Sequence, residues 1–204
     1  MKNLVIAAAL LATLGSAHAG PSIVVDGSFE QQAQADGSWA VYQTLPGWST
    51  VSGSGIELRN HVAGNAATGM NYVELDSYDN SGMAQTLTTL AGSFYTLSFD
   101  YSARAGVAAA SNGIEVLWNG ASVASVTADG NGLSGNDWHL FSYTVAGTGS
   151  DVLSFRAVGI SDSLGGSLDS VSVTAAIPEP STYAMMFAGL VAIGFSLRRR
   201  RSDR

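Results

Sequence analysis

The chain has no cysteine among its 204 residues and only three histidines. The absence of cysteine excludes disulfide bonds and thiol nucleophiles, so a folded domain must be held by packing, or by a metal with oxygen ligands. No G-x-S-x-G or H-E-x-x-H motif occurs, and the histidines are too few for a histidine-rich metal site. A glycosidase needs only two carboxylates, but no spacing in this sequence singles out a pair.

Positive charge is scarce in the middle of the chain. Between residues 20 and 176 there are three basic residues, Arg59, Arg104 and Arg156, against fourteen acidic ones, which gives a net charge of −11. Nucleic acid and an anionic membrane surface are therefore poor partners for this region as a whole. Cations, neutral glycans and self-assembly in a matrix remain open.

The N-terminus has the order of features typical of a secretory signal peptide. Lys2 gives a positive start, an apolar run spans 4–14, and Ala17-His18-Ala19 is an A-x-A cleavage site. The apolar run is too short to cross a membrane. We expect residues 1–19 to be removed on export, so that the mature chain begins at Gly20.

The C-terminus has a second ordered set of signals. Pro178, Glu179 and Pro180 precede an apolar stretch at 183–197, and four arginines, Arg198, Arg199, Arg200 and Arg201, follow it. As a helix this stretch is short for a hydrocarbon core of about 30 Å, although snorkelling or bilayer thinning lets it span. The positive-inside rule keeps the arginines cytoplasmic. An ordinary C-terminal membrane anchor is one interpretation of this pattern.

The order Pro-Glu-Pro, short apolar helix, arginine cluster closely resembles the PEP-CTERM sorting signal of Gram-negative bacteria. The resemblance covers residues 177 to about 201. It implies export through the secretion machinery, a transient inner-membrane intermediate held by the C-terminal helix, and processing of the tail by exosortase. It also implies a final place at the cell surface or in an extracellular matrix that contains exopolysaccharide.

Residues 20–176 have the length of one domain and the pattern of a β-sheet protein. Apolar and polar residues alternate along 95–101, 141–145, 153–157 and 170–173, the period of strands with one buried face. Asn119-Gly120 predicts a tight hairpin, and Asp36-Gly37 suggests another. We predict an all-β domain, a β-sandwich or jelly roll of eight to ten short strands.

Several short motifs occur in an order that resembles the galactose-binding-like jelly rolls of bacterial surface proteins and plant cell-wall proteins. The resemblance spans most of residues 23–174 and rests on VVDGSFE, LPGW, GMNYVELD, QTL, YTLSFDY and GGSLDSVSV. It implies a glycan-associated or matrix role without catalysis. It also implies a structural calcium between the first and last strands, for which Glu30 and Asp169 are the expected ligands, with Asp26 nearby.

A carbohydrate site needs an aromatic surface for the C–H face of a sugar, beside planar polar groups. Trp39, Tyr72, Trp48 and Tyr78 are candidate aromatics, although Trp48 and Trp118 are better explained as core residues. Candidate polar partners are Glu57, Arg59, His61, Asn71 and Glu74; Glu57 and Arg59 share a face if this segment is extended. We predict that the ligand-binding residues are Trp39, Glu57, Arg59, Tyr72 and Glu74.

Three functions are consistent with the sequence. The first is a non-catalytic surface or matrix protein that binds exopolysaccharide or is embedded in it. The second is a structural or adhesive matrix component with no defined ligand. The third is a glycan-active enzyme of the two-carboxylate type, which a pair of carboxylates about 5–10 Å apart in a cleft would favour.

Overall fold

The computed structural model describes residues 20–176 and 189–191. Residues 20–176 form one compact unit. Its twelve strands are β1 Ser38–Tyr42, β2 Thr44–Leu45, β3 Trp48–Ser52, β4 Ile56–Asn60, β5 Asn71–Glu74, β6 Gly82–Thr88, β7 Phe94–Ser102, β8 Gly113–Trp118, β9 Ala121–Val126, β10 His139–Ala146, β11 Ser150–Val158 and β12 Ser167–Ala175.

The strands form two six-stranded antiparallel sheets. The first sheet has the order β1-β4-β5-β12-β7-β10, and the second has the order β2-β3-β6-β11-β8-β9. The predicted all-β sandwich is confirmed. The strands outnumber the predicted eight to ten because short segments such as β2, with two residues, carry too little alternation to be recognised in a sequence.

The hydrophobic core lies between the sheets and is made entirely of residues in this unit. On β7 the buried residues alternate as predicted, with Leu97 and Phe99 fully enclosed. Trp48 and Trp118 are buried, which confirms them as core residues. Because every core residue falls between positions 23 and 173, a fragment of residues 20–176 contains all the packing that the structure describes.

The predicted hairpin at Asn119-Gly120 is confirmed. Trp118 pairs with Ala121, and the two turn residues have φ angles of +53° and +78°, as a type I′ turn requires. Asp36-Gly37 also forms a turn, but β1 is the first strand of the described chain and none precedes this turn. The second hairpin was therefore a wrong prediction, because Asp-Gly marks a turn without specifying strands on both sides.

A bulge interrupts β12 where it meets β7. Asp169 pairs with Asp100, but the next pair is Ser172 with Ser98, so one extra residue is inserted. Ser170, with a φ of +52°, lies within the bulge. The extra residue reverses the face of the sheet to which the following side chains of β12 point. It also brings Val171 to the segment that precedes β1, where its N–H donates to Gly27 O at 2.8 Å.

Both sorting segments fall largely outside the described residues. The residues outside the description include the predicted signal peptide with Ala17 and Ala19, the Pro178-Glu179-Pro180 triplet and the arginines Arg198, Arg199, Arg200 and Arg201. Of the apolar tail, only residues 189–191 are described, and they are helical. Within the described part of the chain, no helix has both the length and the apolar character needed to cross a membrane.

Candidate functional site

Three side chains form a row across the outer face of the first sheet, the face turned away from the core. Trp39 on β1 lies directly opposite Arg59 on β4, and Arg59 lies directly opposite Tyr72 on β5. Their strand neighbours Leu58 and Val73 are buried in the core, so alternation directs this row outward. Three of the five predicted ligand-binding residues are thus adjacent.

The other two predicted residues, Glu57 and Glu74, form the next pair of β4 and β5 on the same outer face. Two carboxylates directly opposite each other repel, and here Arg59 offsets the repulsion. Its Nε donates to Glu57 Oε1 at 2.5 Å, and its Nη2 pairs with Glu74 Oε2. All three side chains are almost completely enclosed. The predicted polar partners are therefore brought together, but as an internal ion-pair network.

Glu74 also connects the sheet to two loops. The N–H of Gly165 donates to Glu74 Oε1 at 2.6 Å, and Arg104 Nη1 donates to Glu74 Oε2 at 3.1 Å and to Ser163 O at 3.2 Å. Burial raises the pKa of Glu74 to about 7, and the nearby Arg59 only partly offsets this. The network therefore holds the loop 159–166 over the outer face of the sheet.

Arg59 keeps one unused donor in this network. Burial disfavours its charge, but Glu74 and Glu57 outweigh that effect and raise the pKa of the guanidinium. Its Nη1 is buried and has no hydrogen-bond partner among the described residues. Such a donor is costly to leave unsatisfied.

The two buried carboxylates do not form an open catalytic pair. Glu57 and Glu74 both contact Arg59, and neither side chain reaches solvent. A glycosidase needs both carboxyl groups to flank a substrate bond. This enclosed arrangement therefore gives the two-carboxylate enzyme no support.

Tyr72 is not the exposed platform that the sequence suggested. It is fully buried, its hydroxyl donates to Val62 O, and Trp138 packs on it edge to face with ring centroids 5.7 Å apart. The reason is that the loop containing Trp138 covers this part of the face. Neither Trp138 nor Arg104 was identified from the sequence, since their partners lie at least thirty residues away along the chain.

Two further predicted polar partners also have structural roles. Asn71 is buried, and its Nδ2 donates to Phe29 O at 2.9 Å and to Gln32 O at 3.1 Å. The exposed His61 has its Nδ1 2.5 Å from Asp36 Oδ1. These contacts connect loops at the start of the domain, so neither residue joins the row on the first sheet.

Trp39 remains exposed and forms an aromatic pair with Tyr78. Their ring centroids are 6.4 Å apart at an interplanar angle of 62°, and 46% of Trp39 and 66% of Tyr78 are accessible to solvent. The next residue, Asp79, accepts hydrogen bonds from the hydroxyl and the N–H of Ser54 at 2.6 and 2.7 Å. These bonds hold the pKa of Asp79 below its usual range, so the carboxylate is a fixed acceptor beside the pair.

The predicted calcium ligands cluster around the segment 67–71. Glu30 Oε1 accepts from the N–H groups of Met70 and Asn71 at 2.9 and 2.7 Å. Asp169 Oδ2 accepts from the N–H groups of Ala67 and Thr68 at 2.8 and 2.9 Å. Glu30 and Asp169 thus hold opposite ends of one short segment beside the bulge of β12.

Asp26 differs because one of its oxygens is unsatisfied. Its Oδ1 accepts from Gln31 N at 3.1 Å, whereas its Oδ2 is buried without a partner in the described chain. Burial raises the pKa of Asp26 and brings that of Asp169 to about 7. In residues 20–176 and 189–191 no three acidic or histidine side chains converge as a metal group. A cation here would need backbone carbonyls to complete its ligands.

Comparison with known families identifies the tail. Residues 176–201 match the PEP-CTERM protein-sorting motif, so the chain carries this sorting signal at its C-terminus. The predicted resemblance is confirmed.

The domain is also similar in sequence to parts of two large toxins. It is 33% identical over 154 residues to a multifunctional-autoprocessing repeats-in-toxin protein of Vibrio vulnificus, and 33% identical over 155 residues to its counterpart in Vibrio cholerae. The matches cover 74% and 76% of this chain. The chain spans only about 3% of the length of either toxin.

Solved structures share the fold of the domain. An arabinose-bound α-L-arabinofuranosidase is similar with a TM-score of 0.51 at 10% identity, over 78% of this chain and 27% of that one. A family 35 carbohydrate-binding module from an environmental isolate gives 0.46 at 19% identity, over 68% of this chain and 95% of that one. The first likeness, at 10% identity, concerns the fold alone.

Proposed function

We propose that this protein is an exported, non-catalytic surface or matrix protein that binds a neutral glycan, such as exopolysaccharide, through Trp39 and Tyr78. The observation that carries the proposal is the exposed aromatic pair on the outer face of a rigid sheet. Large aromatic rings are normally buried in a domain of this size, as Trp48 and Trp118 are. Two adjacent exposed rings offer apolar surface to a partner.

The chemistry around the pair suits a sugar. The ring of Trp39 offers a flat face that the C–H groups of a pyranose can cover, and Tyr78 contacts it at an angle, so that the two rings form a corner. Asp79 supplies a hydrogen-bond acceptor whose orientation is set by Ser54. Apolar surface with a few well-placed polar groups is the usual composition of a small-ligand site.

The charge of the domain favours a neutral ligand over an acidic one. Of its three basic residues, Arg59 and Arg104 are engaged with Glu57 and Glu74, and Arg156 pairs with Glu115 on the other sheet. No basic side chain is thereby left to pair with a uronate or sulfate beside Trp39. An anionic glycan would also meet a net charge of −11.

The two ends of the chain supply the route to the surface. The signal peptide directs export through the secretion machinery, and the PEP-CTERM tail holds the protein transiently in the inner membrane of a Gram-negative bacterium. Exosortase then processes the tail, and the domain passes to the cell surface or the extracellular matrix. On this proposal the tail directs the protein to its location, and the β-sandwich domain binds the glycan.

We also propose a structural calcium ion beside the bulge of β12, bound by Asp26 and backbone carbonyls, with Glu30 and Asp169 turning from their present N–H donors to join it. The unsatisfied Oδ2 of Asp26 supports this, because a buried carboxylate oxygen without a donor is the kind of ligand that a calcium ion accepts. The ion would fix the N-terminal segment to the last strand.

A glycan array probed with fluorescently labelled residues 20–176 tests the proposal. The unchanged domain should bind one or more neutral polysaccharides, and the double variant Trp39→Ala/Tyr78→Ala should bind none. Leu140→Ala is the matched control, since Leu140 is at least as exposed but lies on β10, at the far edge of the sheet. Absence of binding to every glycan would favour the alternative, a structural or adhesive matrix component without a defined ligand.

A further inference from the structure

The end of the sandwich that holds Ala176, the last residue of the domain, exposes no charged side chain. This end, here called the tail-side surface, consists of residues 89–94, 119–120, 146–150 and 175–176. None of these residues is acidic or basic. The absence of charged residues from these segments distinguishes this end of a domain that contains fourteen carboxylates.

Backbone hydrogen bonds join these segments into one surface. Gly92 N donates to Gly147 O at 2.9 Å, and Gly147 N donates to Ser93 O at 2.8 Å. Ala176 N donates to Phe94 O at 2.9 Å, so the chain leaves the domain directly beside this residue. The surface and the start of the tail are therefore fixed to each other within the described unit.

Two large apolar side chains project from the tail-side surface. Leu90 is 68% exposed and Phe94 is 61% exposed, and both lie within or next to the β6–β7 loop. The nearest carboxylate, Asp151, is fully buried, and it accepts hydrogen bonds from Thr89, Asn119 and Thr148. The side chain of this acid is therefore enclosed by fixed donors and is not exposed to a partner at the surface.

Four of the exposed acids lie at the opposite end of the sandwich. The loops there, 75–81, 127–138 and 159–166, carry exposed carboxylates on Asp79, Asp129, Asp137 and Asp162. These loops connect the strand ends that lie farthest from the tail, as the register of β7 with β10 and β12 shows. The domain thus has a charged end and an uncharged, apolar end.

We propose that the tail-side surface rests on the interfacial layer of the lipid bilayer while the sorting tail is inserted, with Leu90 and Phe94 at the boundary between headgroups and acyl chains. This inference rests on the proposed membrane insertion of the tail. Only seven residue steps, with six residues between, lead from Ala176 to Tyr183, where the apolar stretch starts. Fully extended they reach about 25 Å, so the tether keeps this surface close to the lipid.

Electrostatics favours the same orientation. An anionic leaflet repels carboxylates within a Debye length of about 8–10 Å. The net charge of the domain argues against membrane contact in general, but contact through the tail-side surface places the exposed acids of the opposite end away from the lipid. Apolar side chains such as Leu and Phe then enter the interface without a desolvated charge.

Site-directed spin labelling of the full chain tests this, because the chain has no native cysteine to compete for the label. Ala91→Cys places a nitroxide between Leu90 and Phe94, and Ala108→Cys places one on the loop 103–112 at the opposite end; both alanines are exposed. The chain is reconstituted in vesicles of phosphatidylethanolamine and phosphatidylglycerol. We expect the label at 91 to collide several-fold more with oxygen than with a water-soluble nickel complex, and the label at 108 to show the reverse.

A second variant separates contact from mere proximity. Leu90→Glu/Phe94→Glu should make the label at 91 as water-accessible as that at 108, whereas Leu140→Glu, which is equally exposed but away from this end, should leave it unchanged. Equal water accessibility at 91 and 108 in the unchanged chain would overturn the proposal. Protection of the label at 91 from both relaxants would indicate a protein contact instead, and would also overturn it.

Flotation of the same vesicles distinguishes this failure from failure of the tail. If the chain floats while its label at 91 remains accessible to water, only the contact with lipid is overturned, and the proposed membrane insertion of the tail is unaffected. A chain that does not float overturns both. Glycan binding is measured on the domain alone, and neither outcome affects it.

Discussion

The indole ring of Trp39 and the phenol ring of Tyr78 meet edge to face across the surface of the domain, with centroids 6.4 Å apart. Trp39 belongs to β1, and Tyr78 belongs to the loop between β5 and β6, so the contact joins an edge strand to a loop. An exposed pair of this kind contributes only about 0.5–1.5 kcal/mol beyond the area that it buries. The two rings therefore contribute little to the stability of the fold, and their exposed surface is available for a ligand.

If the ring of Tyr78 supports a sugar, the ring matters more than its hydroxyl. We expect Tyr78→Phe to retain glycan affinity within about twofold, and Tyr78→Ala to lose about tenfold, which corresponds to about 1.4 kcal/mol. Titration calorimetry with a glycan identified on the array measures both. Equal losses for the two variants would assign the interaction to the hydroxyl and contradict the stacking role.

The network around Arg59 should contribute to stability through charge compensation. Arg59→Met leaves Glu57 without a cation and leaves Glu74 with Arg104 alone, so we expect the free energy of unfolding to fall by about 3–5 kcal/mol. Urea unfolding of residues 20–176 at pH 7 measures the loss. Arg156→Met is the matched control: Arg156 is about half exposed in its ion pair with Glu115, and the expected change is below about 1 kcal/mol.

Glu74 should make stability depend on pH in the neutral range. Burial raises its pKa to about 7 in the fold, above its ordinary value of 4.5, so the fold favours the neutral carboxyl group. The resulting stabilisation is complete below pH 4.5 and is lost as the pH rises through 7.

Unfolding free energies measured from pH 5 to 8 should therefore fall for the unchanged domain and fall less for Glu74→Gln. Asp79→Asn, at an exposed acid whose pKa is lowered, should not alter the slope in this window. A slope that Glu74→Gln leaves intact would mean that Glu74 stays ionised throughout and that another group titrates.

Calcium should raise the melting temperature of the domain if Asp26, Glu30 and Asp169 hold the ion. A ligand that binds only the folded state stabilises it by mass action, so a melt in excess calcium should lie several degrees above one in chelator. Asp26→Asn, Glu30→Gln and Asp169→Asn should each reduce the shift. Asp36→Asn, at an exposed acid beside His61, should preserve it. Identical melts with and without calcium would remove the ion from this account.

Alternation along the longer strands could be predicted because one face of each contacts the core. On β7 and β11 every second residue, such as Phe99 and Phe155, is buried. Along β12 the bulge breaks this rule, so that Leu168 and Val173 are both in the core although an odd number of positions separates them. A single sequence does not show a bulge, since the extra residue is specified by the packing of Gly27 against the strand.

The candidate site could be predicted only in part, for a similar reason. The alternation of side-chain direction along β4 and β5 predicts that Arg59 and Tyr72 point away from the core, but it does not predict which loops cover them. Loops distant in sequence cover both, through Arg104 and Trp138, and convert expected surface residues into buried ones. Trp39 stays accessible because β1 is at the edge of the sheet, where the loop residue Tyr78 covers it only in part.

The most direct test of the central claim is affinity electrophoresis of residues 20–176 in gels that contain neutral polysaccharides, run beside Trp39→Ala/Tyr78→Ala and Leu140→Ala. We predict that at least one polysaccharide retards the unchanged domain and Leu140→Ala equally, and leaves the double variant at the mobility seen in a plain gel. Retardation of the double variant to the same extent as the unchanged domain would contradict a glycan site at Trp39 and Tyr78.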